Sequence, residues 1–352
     1  MANSTIQSVS IKGVAAAVPK NVVYNKDYEL FSDLEYEKFV HSVGIEQRRV
    51  TPKGMCTSDL CFEAANKLLL DLGWLPNEVD ALIFVSHTPD YKLPATSCIL
   101  QERLQLSKDC MTLDISLGCS GFPHGLHTLS AILQGGHFKK GLLLVGNTQS
   151  HYSSYYDKSV YPLFADAGTA VALEFDPKAE PMYFNFGTDG SGYKSIIIED
   201  GGCRNPVNQE SFDYYELGNG NKKTRLHEGL DGMDVYSFGI KVAPQSFRKL
   251  FEYSAFSMEK IDYFLFHQAN KMMIEKIVKK LELAENFVPM NIKYFGNTSC
   301  ATIPLLMVTN LRDKLINDSL NLYFCGFGVG LSWGSSICST QNIICSELIE
   351  VE

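Results

Sequence analysis

Several features are missing from this sequence. It has no run of about 18 consecutive apolar residues, the length that a membrane-spanning helix needs. The first five residues, Met-Ala-Asn-Ser-Thr, contain no basic stretch followed by an apolar one, as a secretory signal peptide would. The ten cysteines include no CxxC pair and no Cys/His spacing typical of zinc. We therefore predict a cytoplasmic protein with no membrane span, no bound metal and no disulfide framework.

Positive charge is also scarce. Lys and Arg number 31 against 40 Asp and Glu, which gives a formal net charge of −9 at pH 7. This balance argues against a nucleic-acid-binding protein, although it leaves room for a local basic patch. The 352 residues are 45% hydrophobic and 20% charged, enough for a substantial core in one large domain or two of ordinary size.

Apolar strands alternate with helical segments in the first half of the chain. Residues 79–85, 111–117 and 141–146 are predicted to be buried strands, and residues 57–72, 95–104 and 120–135 are predicted to be helices. This alternation is typical of an α/β protein with largely parallel sheets. Gly, Asn, Asp and Pro are frequent in residues 174–223, which predicts strands joined by long loops.

Two strands of the first half are repeated in the second half. Asp262 lies 182 residues after Asp80 (262 − 80), each within an apolar strand. Leu322 lies 180 residues after Leu142 (322 − 142), each in a further apolar strand. A duplicated unit of about 175 residues is long for a solenoid repeat and suits two fused α/β halves.

Three polar side chains stand where a strand is predicted to end and a helix to begin. Cys119 lies in Gly-Cys-Ser-Gly-Phe, His267 begins His-Gln-Ala-Asn, and Asn297 lies in Gly-Asn-Thr-Ser-Cys-Ala. Unpaired backbone amides at a helix N-terminus favour negative charge, so we expect a lowered pKa for the Cys119 thiol. The three residue types supply a nucleophile, a base or polariser, and a neutral donor. Cysteine peptidases use the same three types, so the triplet alone does not identify the reaction.

Each of these residues also has a purely structural interpretation. Cys119 would be a small buried thiol under a glycine turn, His267 a hydrogen-bonded residue at a strand end, and Asn297 a helix N-cap. Cys300, in the last motif, is interpreted as structural. No motif includes the three histidines His124, His127 and His151.

Further motifs make the chain resemble the β-ketoacyl-acyl carrier protein synthase III family of thiolase-fold condensing enzymes. They follow the family order and spacing: Leu163-Phe-Ala-Asp-Ala-Gly168, Asp189-Gly-Ser-Gly-Tyr193, Arg204-Asn-Pro206 and Gly326-Phe-Gly-Val-Gly-Leu-Ser-Trp-Gly334. The resemblance implies the five-layered αβαβα thiolase fold, an α/β fold with two duplicated halves. We place the half with the nucleophile at residues 1–178 and the half with His and Asn at residues 179–352. A homodimer, with the active site between the two halves of each chain, is also implied.

The resemblance implies a decarboxylative Claisen condensation in fatty acid or related biosynthesis. Cys119 would take an acyl group from a thioester, while His267 and Asn297 would stabilise the enolate that malonyl-acyl carrier protein leaves on losing CO2. The backbone N–H groups of Cys119 and Val329 would form the oxyanion hole. The product would be a 3-oxoacyl-acyl carrier protein. No cofactor is implied beyond the covalent acyl-cysteine and its coenzyme A or acyl carrier protein thioester substrates.

Several positions depart from the family pattern. Coenzyme A-primed members commonly carry a Trp and an Arg that grip the adenine, and the matching residues here are Lys38 and Ser42. A further Arg is matched by Lys158 and an Asn by Met233. These replacements argue against the usual coenzyme A site and favour a primer delivered on carrier protein, or a different pose of coenzyme A. Leu93 matches a position where an aromatic residue often closes the acyl pocket across a dimer interface, which indicates a longer or bulkier primer.

Acyl carrier protein is acidic, so its docking surface is expected to be basic. Lys276, Lys279 and Lys280 share one helical face by their i, i+3, i+4 spacing, and basic residues follow His-Gln-Ala-Asn in the family as well. We predict that these three lysines bind acyl carrier protein. A solvated helix face is the alternative interpretation.

Two other functions are compatible with the same residues. A synthase III-like acyltransferase would pass the acyl group to an alcohol or amine, forming an ester or amide in a secondary-metabolite or surface-polysaccharide pathway. A Cys/His/Asn thioester hydrolase would need no second acyl substrate, and the two-half architecture argues against it. Release of CO2 from a malonyl thioester would separate the condensing enzyme from the acyltransferase.

Overall fold

The computed structural model describes residues 2–352. The strands are β1 (Ala2–Ile6), β2 (Val9–Pro19), β3 (Val22–Tyr24), β4 (Gln47–Arg49), β5 (Ala81–Val85), β6 (Met111–Ile115), β7 (Lys140–Thr148), β8 (Asp166–Phe175), β9 (Met182–Thr188), β10 (Ile196–Ile197), β11 (Tyr215–Gly218), β12 (Asn221–Lys223), β13 (Gly229–Leu230), β14 (Tyr263–Phe266), β15 (Ser319–Gly328), β16 (Ser332–Gln341), β17 (Ile344–Cys345) and β18 (Ile349–Val351). The helices are α1 (Asp33–Val43), α2 (Thr57–Leu72), α3 (Thr96–Arg103), α4 (Gly121–Leu133), α5 (Gly232–Ser254), α6 (Lys271–Leu281), α7 (Ile292–Phe295) and α8 (Thr302–Asn317).

Two mixed sheets form the framework. The seven-stranded sheet has the order β17-β2-β8-β7-β5-β6, with β18 also paired to β2, and the five-stranded sheet has the order β1-β9-β16-β15-β14. Strand β5 is parallel to β6 and β7, and β14 is parallel to β15, but β7, β8 and β2 are antiparallel, as are β15, β16 and β9. The prediction of largely parallel sheets is therefore wrong. No crossover helix joins β7 to β8 or β15 to β16, and neighbouring strands connected in this way run antiparallel.

Three clusters of buried apolar side chains separate five layers. One cluster lies between the inner faces of the two sheets and includes side chains of α4 and α8. The second lies between the seven-stranded sheet and helices α2 and α3, and the third lies between the five-stranded sheet and helices α5 and α6. The predicted αβαβα fold is confirmed. Because β5 and β7 are covered on both faces, β5 and residues 141–146 of β7 are continuously apolar rather than alternating.

The internal repeat is present with a correction of one residue. The N–H of Asp80 donates to the carbonyl of Lys140 at 2.9 Å, and the N–H of Asp262 donates to the carbonyl of Asn321 at 2.9 Å. The second repeated strand is therefore offset by 181 residues (321 − 140), and the predicted offset of 180 is wrong. A slip of one residue turns a strand's side chains to the opposite face. With the corrected offset, Leu143 and its counterpart Phe324 both face the space between the sheets.

The terminal strands cross between the two halves of the sequence. Strand β1 pairs with β9 in the five-stranded sheet, while β17 and β18 pair with β2 in the seven-stranded sheet. Each sheet thus contains strands from both halves. The division between residues 178 and 179 falls between β8 and β9 and stays a prediction.

Individual elements agree with the sequence to different degrees. Helix α2 has the predicted bounds, Thr57–Leu72. Strand β6, predicted to be buried, instead lies at the edge of its sheet, and Met111 and Leu113 are 40% and 38% exposed. An edge strand has no neighbouring strand on its outer side. An apolar composition therefore did not indicate burial for β6. Across residues 2–352, none of the helices combines the length and apolar character needed to cross a membrane.

Candidate active site

Four of the predicted site residues line one cavity. Cys119 lies between β6 and α4, His267 directly follows β14, and Val329 directly follows β15. Together with Asn297 they line a cavity of about 690 Å³, which includes its open mouth. Three of these residues thus follow the carboxyl ends of strands, where ligands of α/β proteins commonly bind.

The local structure before Asn297 differs from the prediction. The short helix α7 precedes it, and a single bridge to Phe164 replaces the predicted strand. The side-chain Oδ1 of Asn297 accepts a hydrogen bond from the N–H of Ser299 at 2.9 Å, whereas Nδ2 has no partner within residues 2–352. The N-cap interpretation accounts for the oxygen only. The amide NH2 group, on a side chain that lines the cavity, is left to donate to a ligand.

Ser299 shapes the turn between Asn297 and α8. Its φ of 54° lies in the left-handed region, which costs a non-glycine residue free energy. Its Oγ lies 3.8 Å from the Sγ of Cys119, and the side chain lines the cavity. This strained residue therefore brings the Asn297 turn into contact with the thiol.

Cys119 is only partly exposed, and its Sγ lies 3.8 Å from the Ser299 hydroxyl oxygen. Hydrogen bonding by the backbone N–H groups of Val329 and Cys119 acts to lower the pKa of the thiol, as does the Ser299 hydroxyl. Loss of hydration acts in the opposite direction and is larger, and the pKa of Cys119 is raised to about 11. The expectation of a lowered pKa is therefore wrong. Cys119 lies before the N-cap residue of α4, which is Ser120, and burial outweighs the donors.

His267 is a neutral, buried imidazole. The residue is 1% exposed, and burial lowers its pKa to about 3. Its Nδ1 lies 2.9 Å from Thr302 Oγ1, and its ring meets the Phe327 ring edge-to-face with the centroids 5.8 Å apart. Near neutral pH the ring therefore carries one proton, on either Nδ1 or Nε2, and the bond to Thr302 influences which.

Besides Asn270 and Ser299, three more polar side chains line the same cavity, and they were not identified from the sequence. They are His87, Gln149 and Glu228. Glu228 is 5% exposed and accepts a hydrogen bond from Gln149 Nε2 at 2.8 Å. Burial raises the pKa of Glu228 to about 7 and lowers the pKa of His87. These residues come from separate segments and belong to no motif, so no sequence signal identifies them.

Other predicted site residues lie outside the cavity. Leu93 is 87% exposed and does not line the cavity of its own chain, so its role in closing a partner's pocket stays a prediction. Lys276, Lys279 and Lys280 are exposed on α6. The first turn of this helix contributes Met273 to the cavity lining, so the lysines lie farther along an element that begins at the site.

Four residues that depart from the family pattern lie outside the cavity. Lys38 and Ser42 lie on α1, and the Ser42 hydroxyl donates to the Lys38 carbonyl at 2.8 Å. Lys158 forms an ion pair with Glu35 at 2.6 Å, and Met233 is 74% exposed. None of the four lines the cavity.

Cys300 and three of the histidines outside the motifs contact other protein groups away from the cavity. Cys300 is buried, with its Sγ 3.3 Å from the Gly146 carbonyl. Each of these three histidines has a ring nitrogen within hydrogen-bond distance of an oxygen away from the cavity. These contacts are His124 with the Ser120 carbonyl at 2.9 Å, His127 with Ser4 Oγ at 2.9 Å, and His151 with Thr51 Oγ1 at 2.8 Å. In the described part of the chain, no group of three or more His, Cys, Asp and Glu side chains is placed to hold a metal ion.

Comparisons with known proteins agree with this geometry. A family model described as 3-oxoacyl-[acyl-carrier-protein (ACP)] synthase III matches residues 113–190, and a second, for the C-terminal part of that family, matches residues 251–340. The β-ketoacyl-[acyl-carrier-protein] synthase III of Caldanaerobacter subterraneus subsp. tengcongensis is 30% identical over 332 residues, which cover 94% of this chain and 97% of that protein.

Solved structures show the same relationship. The 3-oxoacyl-(acyl-carrier protein) synthase of Burkholderia xenovorans LB400 superposes with a TM-score of 0.93 at 37% identity and covers 99% of both chains. The 3-oxoacyl-(acyl carrier protein) synthase III of Pseudomonas aeruginosa PAO1 superposes with a TM-score of 0.80 at 25% identity and covers 96% of this chain and 99% of its own.

Proposed function

Because this chain belongs to the β-ketoacyl-[acyl-carrier-protein] synthase III family, we propose that it makes a 3-oxoacyl-acyl carrier protein by decarboxylative condensation. One observation carries the proposal. The Cys119 thiol, the neutral His267 imidazole and the free Asn297 amide line the same cavity. Simple acyl transfer to an alcohol or amine needs a thiol and a base but no pair of enolate-stabilising donors.

The first half-reaction places an acyl group on Cys119. The sulfur attacks the thioester carbonyl, the carbon–sulfur bond to the carrier breaks, and the thiol proton leaves with the departing sulfur. Negative charge develops on the carbonyl oxygen during this step. The backbone N–H groups of Cys119 and Val329 both act to lower the pKa of the thiol, and they are the donors that we assign to this oxyanion.

The second half-reaction forms the carbon–carbon bond. A malonyl thioester loses CO2, and the electron pair of the broken bond remains as an enolate whose oxygen accepts hydrogen bonds from Asn297 Nδ2 and His267 Nε2. The enolate carbon then attacks the acyl group, the bond to Cys119 breaks, and the released thiolate takes up a proton from solvent to restore the thiol. Removing one such donor typically slows a reaction about 100-fold or more.

Acyl carrier protein is the proposed partner, and α6 is its proposed docking surface. The helix begins beside the cavity and carries Lys276, Lys279 and Lys280 on its exposed side. Arg248 Nη2 lies 3.4 Å from the Lys280 carbonyl and extends the basic surface. The absence of the usual Trp and Arg at Lys38 and Ser42 favours primers carried on acyl carrier protein.

A homodimer in the cytoplasm is the proposed state of the protein. The free edge of the seven-stranded sheet is β6, whose Met111 and Leu113 are partly exposed, and such an edge is suited to a partner strand. All ten cysteines are free, as is usual in a reducing compartment. Within each protomer we propose that residues 1–178 supply the nucleophile and residues 179–352 supply His267 and Asn297.

The test is a mass measurement on the intact protein. A panel of acyl-coenzyme A and acyl carrier protein thioesters is mixed with wild type and with Cys119→Ala, and malonyl-acyl carrier protein is then added. We expect an acyl adduct on the wild type only, and its loss together with CO2 release. An adduct that survives malonyl thioester but clears with an alcohol or amine would instead identify the acyltransferase, and clearance by water alone would identify the hydrolase.

A further inference from the structure

Polar side chains form one wall of the cavity that contains the thiol. Besides Asn270 and Ser299, three more of its lining residues are polar or ionisable although they have no role in the proposed condensation: His87, Gln149 and Glu228. A pocket for a saturated acyl chain would present apolar side chains, because an alkyl chain offers no hydrogen bond to buried polar groups. The composition of this wall therefore bears on which acyl group the enzyme accepts.

Glu228 has unused hydrogen-bonding capacity. Its Oε2 accepts from Gln149 Nε2 at 2.8 Å, and Oε1 has no hydrogen-bond partner among the described residues. The residue is 5% exposed, so bulk water hardly reaches it, and it lines the cavity that holds Cys119. A carboxyl oxygen that faces a cavity and has no protein partner is free to bond a ligand, and a ligand that supplies this hydrogen bond is correspondingly favoured.

A second cavity continues past this wall. Its lining adds Tyr152, Ile197 and Ile198, and it shares five residues with the first: His87, Gln149, Ile196, Glu228 and Val329. Glu228 therefore lies where the two cavities adjoin. An acyl chain that extends from Cys119 into the second cavity passes the carboxyl group.

We propose that the acyl group accepted by Cys119 carries a hydroxyl group that hydrogen-bonds to Glu228. This inference rests on the proposed function and specifies its primer as a hydroxyacyl thioester. A hydroxyl group suits Glu228 in either protonation state, since it donates to a carboxylate and accepts from a carboxylic acid. An ammonium group would match only the carboxylate. An unsubstituted acyl chain would displace water from these polar side chains without replacing the water's hydrogen bonds. Binding of an unsubstituted primer is therefore disfavoured relative to a hydroxyacyl primer.

The test compares matched thioesters. Butyryl and 3-hydroxybutyryl groups, and hexanoyl and 3-hydroxyhexanoyl groups, are each delivered on acyl carrier protein, and the rate of adduct formation on Cys119 is measured by intact mass. We expect the wild type to prefer the hydroxyacyl group of at least one pair by about 10- to 100-fold. Glu228→Leu should abolish or reverse that preference, and Glu228→Gln should reduce it. Glu216→Leu, the same change at an exposed carboxylate on β11, should retain it.

Failure of this inference is distinguishable from failure of the proposed function. If Cys119 is acylated and releases CO2 from malonyl thioester, but shows no hydroxyl preference in wild type, the inference is overturned and the function stands. The inference is likewise overturned, and the function stands, if Glu228→Leu and Glu228→Gln, both folded by thermal unfolding, keep the wild-type preference. If no thioester acylates Cys119, the proposed function itself fails.

Discussion

At the scale of single residues, loss of hydration decides the protonation of the two groups that we propose to react. The pKa of Cys119 is raised to about 11 and that of His267 is lowered to about 3, so near pH 7 the resting site holds a neutral thiol beside a neutral imidazole. A thiolate–imidazolium ion pair is therefore not the resting state. The neutral histidine instead suits a hydrogen-bond donor to the enolate oxygen, which is the role proposed for it.

The alkylation rate of Cys119 should follow this protonation state. Because the thiolate is the reactive form, the rate of modification by iodoacetamide should rise about tenfold per pH unit from pH 7 and level off only near pH 11. Peptide mass analysis of the Cys119 fragment gives the rate, with the exposed Cys98 as an internal comparison. A rate for Cys119 that is already constant between pH 7 and pH 9 would contradict the raised pKa.

Thr302 should determine the tautomer of His267. Thr302 Oγ1 lies 2.9 Å from Nδ1 of His267 and 3.0 Å from the Ser299 carbonyl, which competes with Nδ1 for the single hydroxyl proton. When the hydroxyl donates to Nδ1, Nε2 carries the proton that the proposed role toward the enolate needs. Thr302→Val keeps the shape but removes this hydroxyl. We expect CO2 release from malonyl thioester to slow roughly tenfold, while acylation of Cys119 is unchanged.

Two variants provide the controls for this prediction. Thr302→Ser retains the hydroxyl and should retain activity. Thr309→Val removes a hydroxyl of the same helix that donates to the Leu305 carbonyl at 2.9 Å, and it should leave CO2 release unchanged. Equal slowing of acylation and CO2 release in Thr302→Val would indicate a general packing defect rather than a positioning role.

At the scale of secondary-structure elements, the end of β15 must approach the loop after β6 very closely. A Cβ atom added at Gly328 would lie 2.6 Å from the Cβ of Cys119 and 2.8 Å from its Sγ. Gly328→Ala should therefore displace the nucleophile and slow its acylation about 100-fold, because small shifts of reacting atoms are expensive. Gly190→Ala, where an added Cβ meets no atom within 4 Å, is the control. A normal acylation rate in Gly328→Ala would show that the loop carrying Cys119 can move to accommodate the added methyl group without slowing the reaction.

The exposed side of α6 should decide carrier-protein affinity. Reversing the charge of Lys276, Lys279 and Lys280 together to Glu should raise KM for malonyl-acyl carrier protein about tenfold or more, with little change in kcat. The effect should shrink at high salt because exposed charges are screened. The same reversal at the exposed Lys53, Lys67 and Lys178 should have little effect. An unchanged KM in the α6 variant would favour the solvated-face interpretation.

At the scale of the whole molecule, the buried Glu228 makes stability depend on pH. Its folded-state pKa of about 7 exceeds the ordinary value of 4.5, so the folded protein binds this proton more tightly than the unfolded chain. The contribution of Glu228 to stability therefore falls as pH rises from about 4.5 to 7. Above that window the cost approaches about 3 kcal/mol.

Urea unfolding of wild type and Glu228→Gln at pH 5 and pH 8 measures this contribution. The amide resembles the protonated carboxyl, so the two proteins should be similar in stability at pH 5. At pH 8 the variant should gain up to about 3 kcal/mol relative to wild type. Glu216→Gln, at an exposed position, should show no such gain. A difference between wild type and Glu228→Gln that is the same at both pH values would contradict the raised pKa.

The sequence by itself determined the residue types of the site, because short motifs carry them. Cys119, His267 and Asn297 follow from their motifs, and the bounds of α2 follow from its amphipathic spacing, since these signals are local. The five layers follow from the family resemblance, whereas the alternation of strands and helices indicates only the α/β class. The repeat was visible as well, but its register was wrong by one residue because similar apolar strands align almost equally well in either position.

Only the tertiary structure decided the properties that depend on burial and on distant segments. The raised pKa of Cys119 reflects loss of hydration, which a motif at a helix start does not reveal. The polar wall joins His87, Gln149 and Glu228 from three separate parts of the chain. Strands β1, β17 and β18 cross between the halves because pairing, not sequence order, selects their sheets. Each of these features arises because residues far apart in sequence pack together and exclude water. A local sequence pattern does not predict such packing.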